Sequence, residues 1–135
     1  MAAPTNTAAE HPAADSEAAR VVTRFLTGFY RGDFDLARSV VAEDFAFEGP
    51  FLQVTGKGAF FEGAAGLQPV VRGHRMLRQW SDGGEVCSIY EVDLVTPAGE
   101  GAVLMSEWHT VHDGKLAAGR VVFDTVAFRR VLPPR

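Results

Sequence analysis

The chain has 135 residues, 47% of them apolar, which matches one compact domain with a single hydrophobic core. Its net charge of −4 provides no basic surface for a phosphate backbone or an anionic membrane, so we expect neither nucleic acid nor membrane as a partner. No run approaches the ~18 apolar residues of a transmembrane helix, and no secretory signal is visible. We therefore expect a cytoplasmic protein. Its single cysteine, Cys87, is predicted to be a small buried hydrophobe rather than half of a disulfide.

The N-terminal residues divide into a tail and the start of a folded domain. Residues 1–15 are small, proline-containing and unpatterned, which predicts a disordered tail before a single domain over residues 16–135. Apolar residues then recur at helical spacing. This pattern predicts a first helix that is capped by Asp15 or Ser16 and ends at Arg31-Gly32.

A second helix is predicted from residue 33 or 34 to residue 41 and leads into a short strand. In this strand Phe45 and Phe47 alternate with smaller or charged residues, and the run ends at Gly49-Pro50. Successive side chains of a strand point to opposite faces. The two phenylalanines are therefore expected to face the core and Glu48 to face away from it.

The remaining chain changes from helical to strand period. Residues 56–71 begin as a third helix, whose end is left undefined by glycines and Pro69. Four runs with a period of two follow, at residues 74–81, 85–96, 102–111 and 116–124. Their short links predict an antiparallel meander. Asp124 is expected to cap a closing helix, and helices followed by such a sheet predict the α+β class, with a cavity between the layers.

This order of elements, with the stretches GDFDLARSVVAEDFAFEGP, VTGKGAFFEG and HDGKLAAGRVVFDTVAF, resembles the bacterial SnoaL-like members of the nuclear transport factor 2-like superfamily. The resemblance covers residues 16 to about 132. It implies a cone-shaped, curved antiparallel sheet covered on one face by three N-terminal helices, the cystatin-like fold. The superfamily includes ketosteroid isomerases, limonene epoxide hydrolases, polyketide cyclases and proteins without catalysis, so the fold does not choose among them.

The functional residues of two relatives are mostly absent from the matching positions. The general base of ketosteroid isomerases corresponds to Gly49, their oxyanion-hole tyrosine to Phe25, and their protonated aspartate to Glu107. The arginine and two aspartates of limonene epoxide hydrolases correspond to Tyr90, Val92 and Val121. The resemblance therefore disfavours both reactions as those families run them.

The same alignment predicts a mostly apolar pocket, the usual form of a small-molecule site. Its polar groups are Tyr90, Glu107 and His109, and burial among aromatic rings predicts a raised pKa for Glu107. The hypothesis makes Glu107 a general acid, His109 a base and Tyr90 a donor that polarises a carbonyl. The alternative is that Glu107 and His109 satisfy each other's hydrogen bonds or line a wet mouth of the cavity. The predicted apolar lining is Phe25, Phe29, Phe47, Val92, Val121 and Phe123.

Two function classes remain open on the sequence. The first is cofactor-free acid–base chemistry on a small apolar, carbonyl-bearing molecule by an isomerase, cyclase, hydratase or dehydratase. The second is a non-catalytic ligand-binding or dimerisation module. No dinucleotide fingerprint or phosphate loop appears, and no ligand set suits a metal, so neither cofactor nor metal is expected. The outer face of the sheet, with Trp108, is the predicted homodimer interface.

Overall fold

The computed structural model describes residues 16–134, so the tail predicted over residues 1–15 lies outside the described residues. The fold combines helices with a largely antiparallel sheet, which confirms the α+β class. The elements in chain order are α1 (Glu17–Tyr30), α2 (Phe34–Ser39), β1 (Val41–Glu48), β2 (Gln53–Thr55), α3 (Lys57–Ala64), a 3₁₀ helix (Ala65–Val70), β3 (Val71–Asp82), β4 (Glu85–Thr96), β5 (Gly99–His112), β6 (Lys115–Phe123) and α4 (Thr125–Val131).

The six strands form one curved, unclosed sheet in the order β2-β1-β6-β5-β4-β3. Strands β3 to β6 are the predicted antiparallel meander. Strand β1 joins this meander in parallel, with Phe47 beside Gly119 of β6. The sheet is therefore mixed rather than antiparallel throughout. Parallel neighbours need a long crossover connection, and here the whole chain between β1 and β6 supplies it.

Several element boundaries differ from the sequence prediction, and strands β3 and β5 each begin three residues earlier than predicted. Helix α2 ends at Ser39 instead of continuing to residue 41, because the backbone there pairs with β6. The Val40 carbonyl accepts a hydrogen bond from the Leu116 amide at 2.7 Å, and Val41 opposes Leu116 in the sheet. Strand pairing suits these β-branched residues better than a helix end. The short strand β2 was not predicted, and it forms by pairing with β1.

The helix ends follow the expected capping chemistry. The Ser16 hydroxyl accepts a hydrogen bond from the Ala19 amide at 2.9 Å, which fixes the start of α1. The Asp124 carboxylate accepts bonds from the amides of Val126 and Ala127 at 2.9 and 3.1 Å and begins α4. Both predicted caps are confirmed. Helix α3 passes into the 3₁₀ turn that contains Pro69, which lacks the amide hydrogen that an α-helix requires.

The core lies between the helices and the inner face of the sheet. Helix α1 packs Val22, Phe25 and Leu26 against strands β3 to β6, and all three side chains are buried. Buried residues of β4 and β5 alternate with half-buried or exposed ones, as in period-two strands with one covered face. Across the described part of the chain, no helix is long and apolar enough to span a bilayer.

Candidate active site

An apolar cavity of about 360 Å³ opens between α1, α3, α4 and the inner face of the sheet. Of the predicted pocket residues, the structure places five in the lining: Phe25, Phe29, Phe47, Val121 and Phe123. Val92 does not line the cavity and is completely buried in the core. The space is large enough for a small organic molecule.

Phenylalanine rings form the walls of the cavity without filling it. The ring centroids of Phe25 and Phe29 lie 5.8 Å apart, and Phe60 lies 4.9 Å from Phe47. Phe60 also packs against Phe29 at 5.8 Å, which joins α1, α3 and β1 around one aromatic wall. These spacings are typical of favourable ring pairs. The wall therefore presents apolar surface beside the polar groups at the end of the cavity.

The polar end of the cavity is formed by Tyr30, Tyr90 and Glu107, all of which contribute to the lining. The Tyr90 hydroxyl donates a short hydrogen bond to Oε1 of Glu107. The hydroxyl oxygens of Tyr30 and Tyr90 lie 3.1 Å apart and share a second hydrogen bond. Only 4% of Glu107 is exposed. The cavity therefore ends in a buried carboxylate that is connected to two phenols.

His109 lies behind Glu107 rather than in the cavity lining. Its Nε2 atom is 3.2 Å from Oε2 of Glu107, but the contact is not a hydrogen bond. The imidazole is completely buried and packs edge-on against Phe25, with ring centroids 5.6 Å apart. Its Nδ1 atom has no hydrogen-bond partner within residues 16–134. His109 thus reaches Glu107 and not the space that a ligand would occupy.

A glycine makes room for this imidazole. A side chain at Gly119 would place its Cβ 3.0 Å from Cδ2 of His109 and 3.3 Å from the ring of Phe45. Such distances are shorter than ordinary van der Waals contact. Gly119 therefore allows the buried histidine to sit beside Glu107.

The pKa of Glu107 is shifted in the direction opposite to the prediction. Burial raises this pKa, but attraction to His109 and the hydrogen bond from Tyr90 outweigh burial, and the pKa lies below its ordinary value. The prediction of a raised pKa was wrong because it counted burial alone. Burial and the nearby carboxylate raise the pKa of both Tyr30 and Tyr90. At neutral pH the site holds one carboxylate and two protonated phenols.

Sequence reasoning missed Tyr30, the last residue of α1. It follows Leu26 by four residues, a spacing that places both side chains on one helix face, and this signal could have identified it. Phe60 was missed for a different reason. It belongs to the glycine-rich third helix, whose path the sequence left undefined.

Two residues of the first strand and its turn lie where the sequence predicted. Glu48 is exposed on the outer face, where its Oε1 accepts a hydrogen bond from Arg120 at 2.7 Å. Gly49 lines the cavity, and a Cβ there would lie 2.9 Å from Cγ1 of Val121. An acidic side chain at this position would have to displace Val121. The packing therefore agrees with the absence of the ketosteroid isomerase base.

The donor set for a metal is incomplete in the part of the chain that the structure describes. It contains no group of three or more His, Cys, Asp or Glu side chains placed to hold one ion. Glu107 and His109 lie close together, but the other polar group in contact with Glu107 is the phenol of Tyr90.

The family follows from a match to the SnoaL-like domain over residues 22–119. The chain belongs to the SnoaL-like family. An LEH-like epoxide hydrolase from M. tuberculosis is similar to this SnoaL-like protein, with 24% identity, a TM-score of 0.73, and coverage of 86% of this chain and 90% of that one. A comparison with curated proteins found no match.

Two further solved structures share the fold of this SnoaL-like protein. TerC, co-crystallised with polyporic acid, has 20% identity and a TM-score of 0.76 over 88% of this chain and 100% of its own. A predicted polyketide cyclase from Xanthomonas campestris pv. campestris has 18% identity and a TM-score of 0.72 over 83% of this chain and 93% of its own. At these identities the likeness shows the fold, and the specific activity must be argued from the site.

Proposed function

We propose that this SnoaL-like protein binds a small apolar molecule with a carbonyl group and catalyses proton transfer at the adjacent carbon without a cofactor. Isomerases and cyclases both use such a step. The observation that carries the proposal is the buried Glu107 carboxylate, hydrogen-bonded to Tyr90 at the polar end of an apolar cavity. A carboxylate that is ionised and held beside a bound carbon acid is placed to accept a proton from it.

The proposed roles of the polar residues differ from the first hypothesis. Glu107 acts as the base, because its lowered pKa keeps it ionised at neutral pH. The C–H bond of the ligand breaks, the proton moves to a carboxylate oxygen, and the electron pair forms an enolate. When Glu107 becomes protonated, Tyr90 no longer donates its hydrogen bond to it. The Tyr90 hydroxyl then turns to the enolate oxygen. Tyr30 supports Tyr90 through their shared hydrogen bond.

In this mechanism His109 is a positioning residue rather than the base. It does not line the cavity, and its Nε2 atom lies 3.2 Å from Oε2 of Glu107 on the core side, a close contact without a hydrogen bond. This contact leaves the carboxylate with one oxygen near Tyr90 and the other near His109. The orientation of Glu107 is therefore set before a ligand binds, which is the usual requirement for an efficient base.

The rival function is ligand binding without catalysis, and one observation favours it. Both oxygens of Glu107 are already in contact with protein groups, Tyr90 on one side and His109 on the other. The groups of such a polar cluster can satisfy one another's hydrogen bonds, and the cluster then contributes only to the specificity of the fold. The bound TerC structure shows that a relative with this fold was crystallised with a small organic molecule, which supports ligand binding in either case.

An experiment that distinguishes the two functions measures solvent-deuterium exchange into apolar ketones such as acetophenone and 2-tetralone. Catalysis predicts saturable exchange at the α-carbon, about 10²-fold or more above the buffer rate, measured by NMR or mass spectrometry. Benzophenone has no α-hydrogen and is expected to inhibit the exchange competitively. Ketones that bind, shown by displacement of benzophenone, but do not exchange would contradict the catalytic proposal and leave the binding function.

We further propose that a second copy of the chain covers the outer face of the sheet. Trp80, Cys87 and Trp108 lie side by side in register on three neighbouring strands, and 53% of Trp108 is exposed. Cys87 is half-buried on this face, so the prediction that it is buried was wrong. Its alternating run did not show which face the helices cover. Exposed apolar rows of this kind are typical of subunit interfaces.

The dimer proposal predicts that Trp108→Glu converts the protein to a monomer, because a charge would be buried without a partner. Sedimentation equilibrium measures the change. Val126→Glu, at an exposed apolar position on α4, is the matched control and should not alter the mass. A wild-type protein that sediments as a monomer at micromolar concentration would contradict the proposal.

A further inference from the structure

A second pocket, separate from the apolar cavity, lies where α1 ends beside the beginning of β3. It measures about 430 Å³ and is lined by Tyr30, Arg31, Gly32, Gln68, Val71, Arg72, Gly73 and His74. Three of these side chains are basic and none is acidic. In a chain with a net charge of −4, such a local excess of positive charge is not expected from composition.

The carboxylates nearest in sequence and register are engaged elsewhere. Asp33 follows the pocket residue Gly32, and its side chain accepts the Leu36 amide at 3.1 Å to cap α2. Asp93 opposes Gly73 in the sheet, and its carboxylate pairs with Arg75 at 2.7 Å. The two pocket arginines therefore have no carboxylate partner from these positions. The ion pairs found within residues 16–134 do not include Arg31 or Arg72, so these two charges can meet an anion from solution.

The other groups in the pocket suit an anion as well. His74 is half-buried, and its ring lies 5.1 Å from that of Tyr30. Burial and the nearby charge of Arg31 lower the pKa of His74, so a neutral imidazole faces the pocket beside the guanidinium group. Gln68 donates its amide to the carbonyl of Gly32 at 3.1 Å and holds the loop end of the pocket. Among residues 16–134, apart from its two chain neighbours, no heavy atom lies within 4 Å of a Cβ placed at Gly73, so a ligand can approach the backbone there.

We propose that this pocket binds the phosphate group of a small molecule through Arg31 and Arg72, with His74 as an additional polar contact. Two guanidinium groups balance the two charges of a phosphate monoester, and guanidinium geometry matches phosphate oxygens in pairs. Arg31 alone would be explained by its position at the carboxyl end of α1, where a cation is favourable. Arg72 lies on a strand, and that explanation does not apply to it.

Tyr30 separates this pocket from the apolar cavity, since its side chain lines both. The phosphate pocket is nevertheless a separate proposal that does not rest on the chemistry of Glu107. A variant with Glu107→Gln should bind phosphate as the wild-type protein does. Failure of one proposal therefore leaves the other intact.

The test is an NMR titration of the ¹⁵N-labelled full chain with inorganic phosphate at constant ionic strength. The amides of Gly32 and Gly73 report on the pocket and should shift in a saturable manner. Arg31→Gln and Arg72→Gln should each weaken the affinity about tenfold. Arg78→Gln removes an exposed arginine of the same strand, on the outer face, and should leave the affinity unchanged.

Three outcomes would overturn the proposal. The first is the absence of saturable shifts at Gly32 and Gly73 up to ~50 mM phosphate, because the dissociation constant of a specific site of this kind should lie below that concentration. The second is an equal loss of affinity in Arg78→Gln, which would show general charge screening. The third is succinate binding as tightly as phosphate, which would show that two carboxylates rather than a phosphate fit the pocket.

Discussion

Replacing Glu107 with glutamine is expected to lower the rate of α-proton exchange in a bound ketone by about 10²- to 10⁴-fold. Glutamine keeps the size of the side chain and an oxygen that can accept the Tyr90 hydrogen bond. It cannot accept a proton at neutral pH, so binding should survive while the chemical step is lost. The measurement compares exchange rates at saturating ketone, together with the affinity for benzophenone.

The matched control for this substitution is Glu48→Gln. Glu48 is also a strand glutamate, but it lies exposed on the outer face beside Arg120, so its replacement should leave the exchange rate unchanged. Equal rates for Glu107→Gln and wild-type protein, with both folded by circular dichroism, would show that Glu107 is not the base.

The pH profile provides a second measure of the same role. A base is active when deprotonated, so the exchange rate should rise as pH increases through the pKa of Glu107. That pKa lies below the ordinary value of 4.5, and the rate should therefore be level through neutral pH. A general acid would give the opposite slope, with the rate falling as pH rises. Such a fall would restore the original assignment of Glu107 as the acid.

Replacing Phe45 with alanine is expected to reduce the free energy of unfolding by about 3–5 kcal/mol. Phe45 is completely buried, and its ring packs against those of Phe25 and Phe60 at 6.3 and 5.2 Å. Removing the ring leaves a void between β1 and α1 that neighbouring side chains can only partly close. The loss is a large share of the 5–15 kcal/mol typical of small domains. Urea denaturation followed by fluorescence measures it.

Phe51→Ala is the control for core position. Phe51 is 45% exposed, and its ring rests on Phe123, Phe128 and the guanidinium of Arg129 at the surface. Its removal should cost about 1 kcal/mol or less. Comparable losses for Phe45→Ala and Phe51→Ala would mean that Phe45 is not the central ring of the core.

The faces of the strands came from two sources. Period-two alternation showed which residues share a face, the resemblance implied that the face with Tyr90 and Glu107 is the covered one, and both side chains are buried while Glu48 is exposed. The caps at Ser16 and Asp124 were also predictable, because capping depends on residues only three positions away. These features are local, so a single sequence carries the information that they require.

Long-range features were not predictable in the same way. The parallel pairing of β1 with β6 ended α2 early at Ser39, and nothing near residue 40 indicates a partner 76 positions away. The same parity that placed His109 on the covered face could not show that it would lie behind Glu107, outside the cavity. That arrangement depends on the room beside Gly119 on the neighbouring strand.

The sequence by itself therefore determined the α+β class, most of the strands and which residues share a face, because these follow from local periodicity, whereas the covered side was implied by the resemblance. Only the tertiary structure decided the charge state of Glu107. Burial alone raises the pKa of a carboxyl group, and the opposite result here comes from Tyr90 and His109, which the fold brings within contact of it. Electrostatic interactions depend on distances between strands, and no single sequence states those distances.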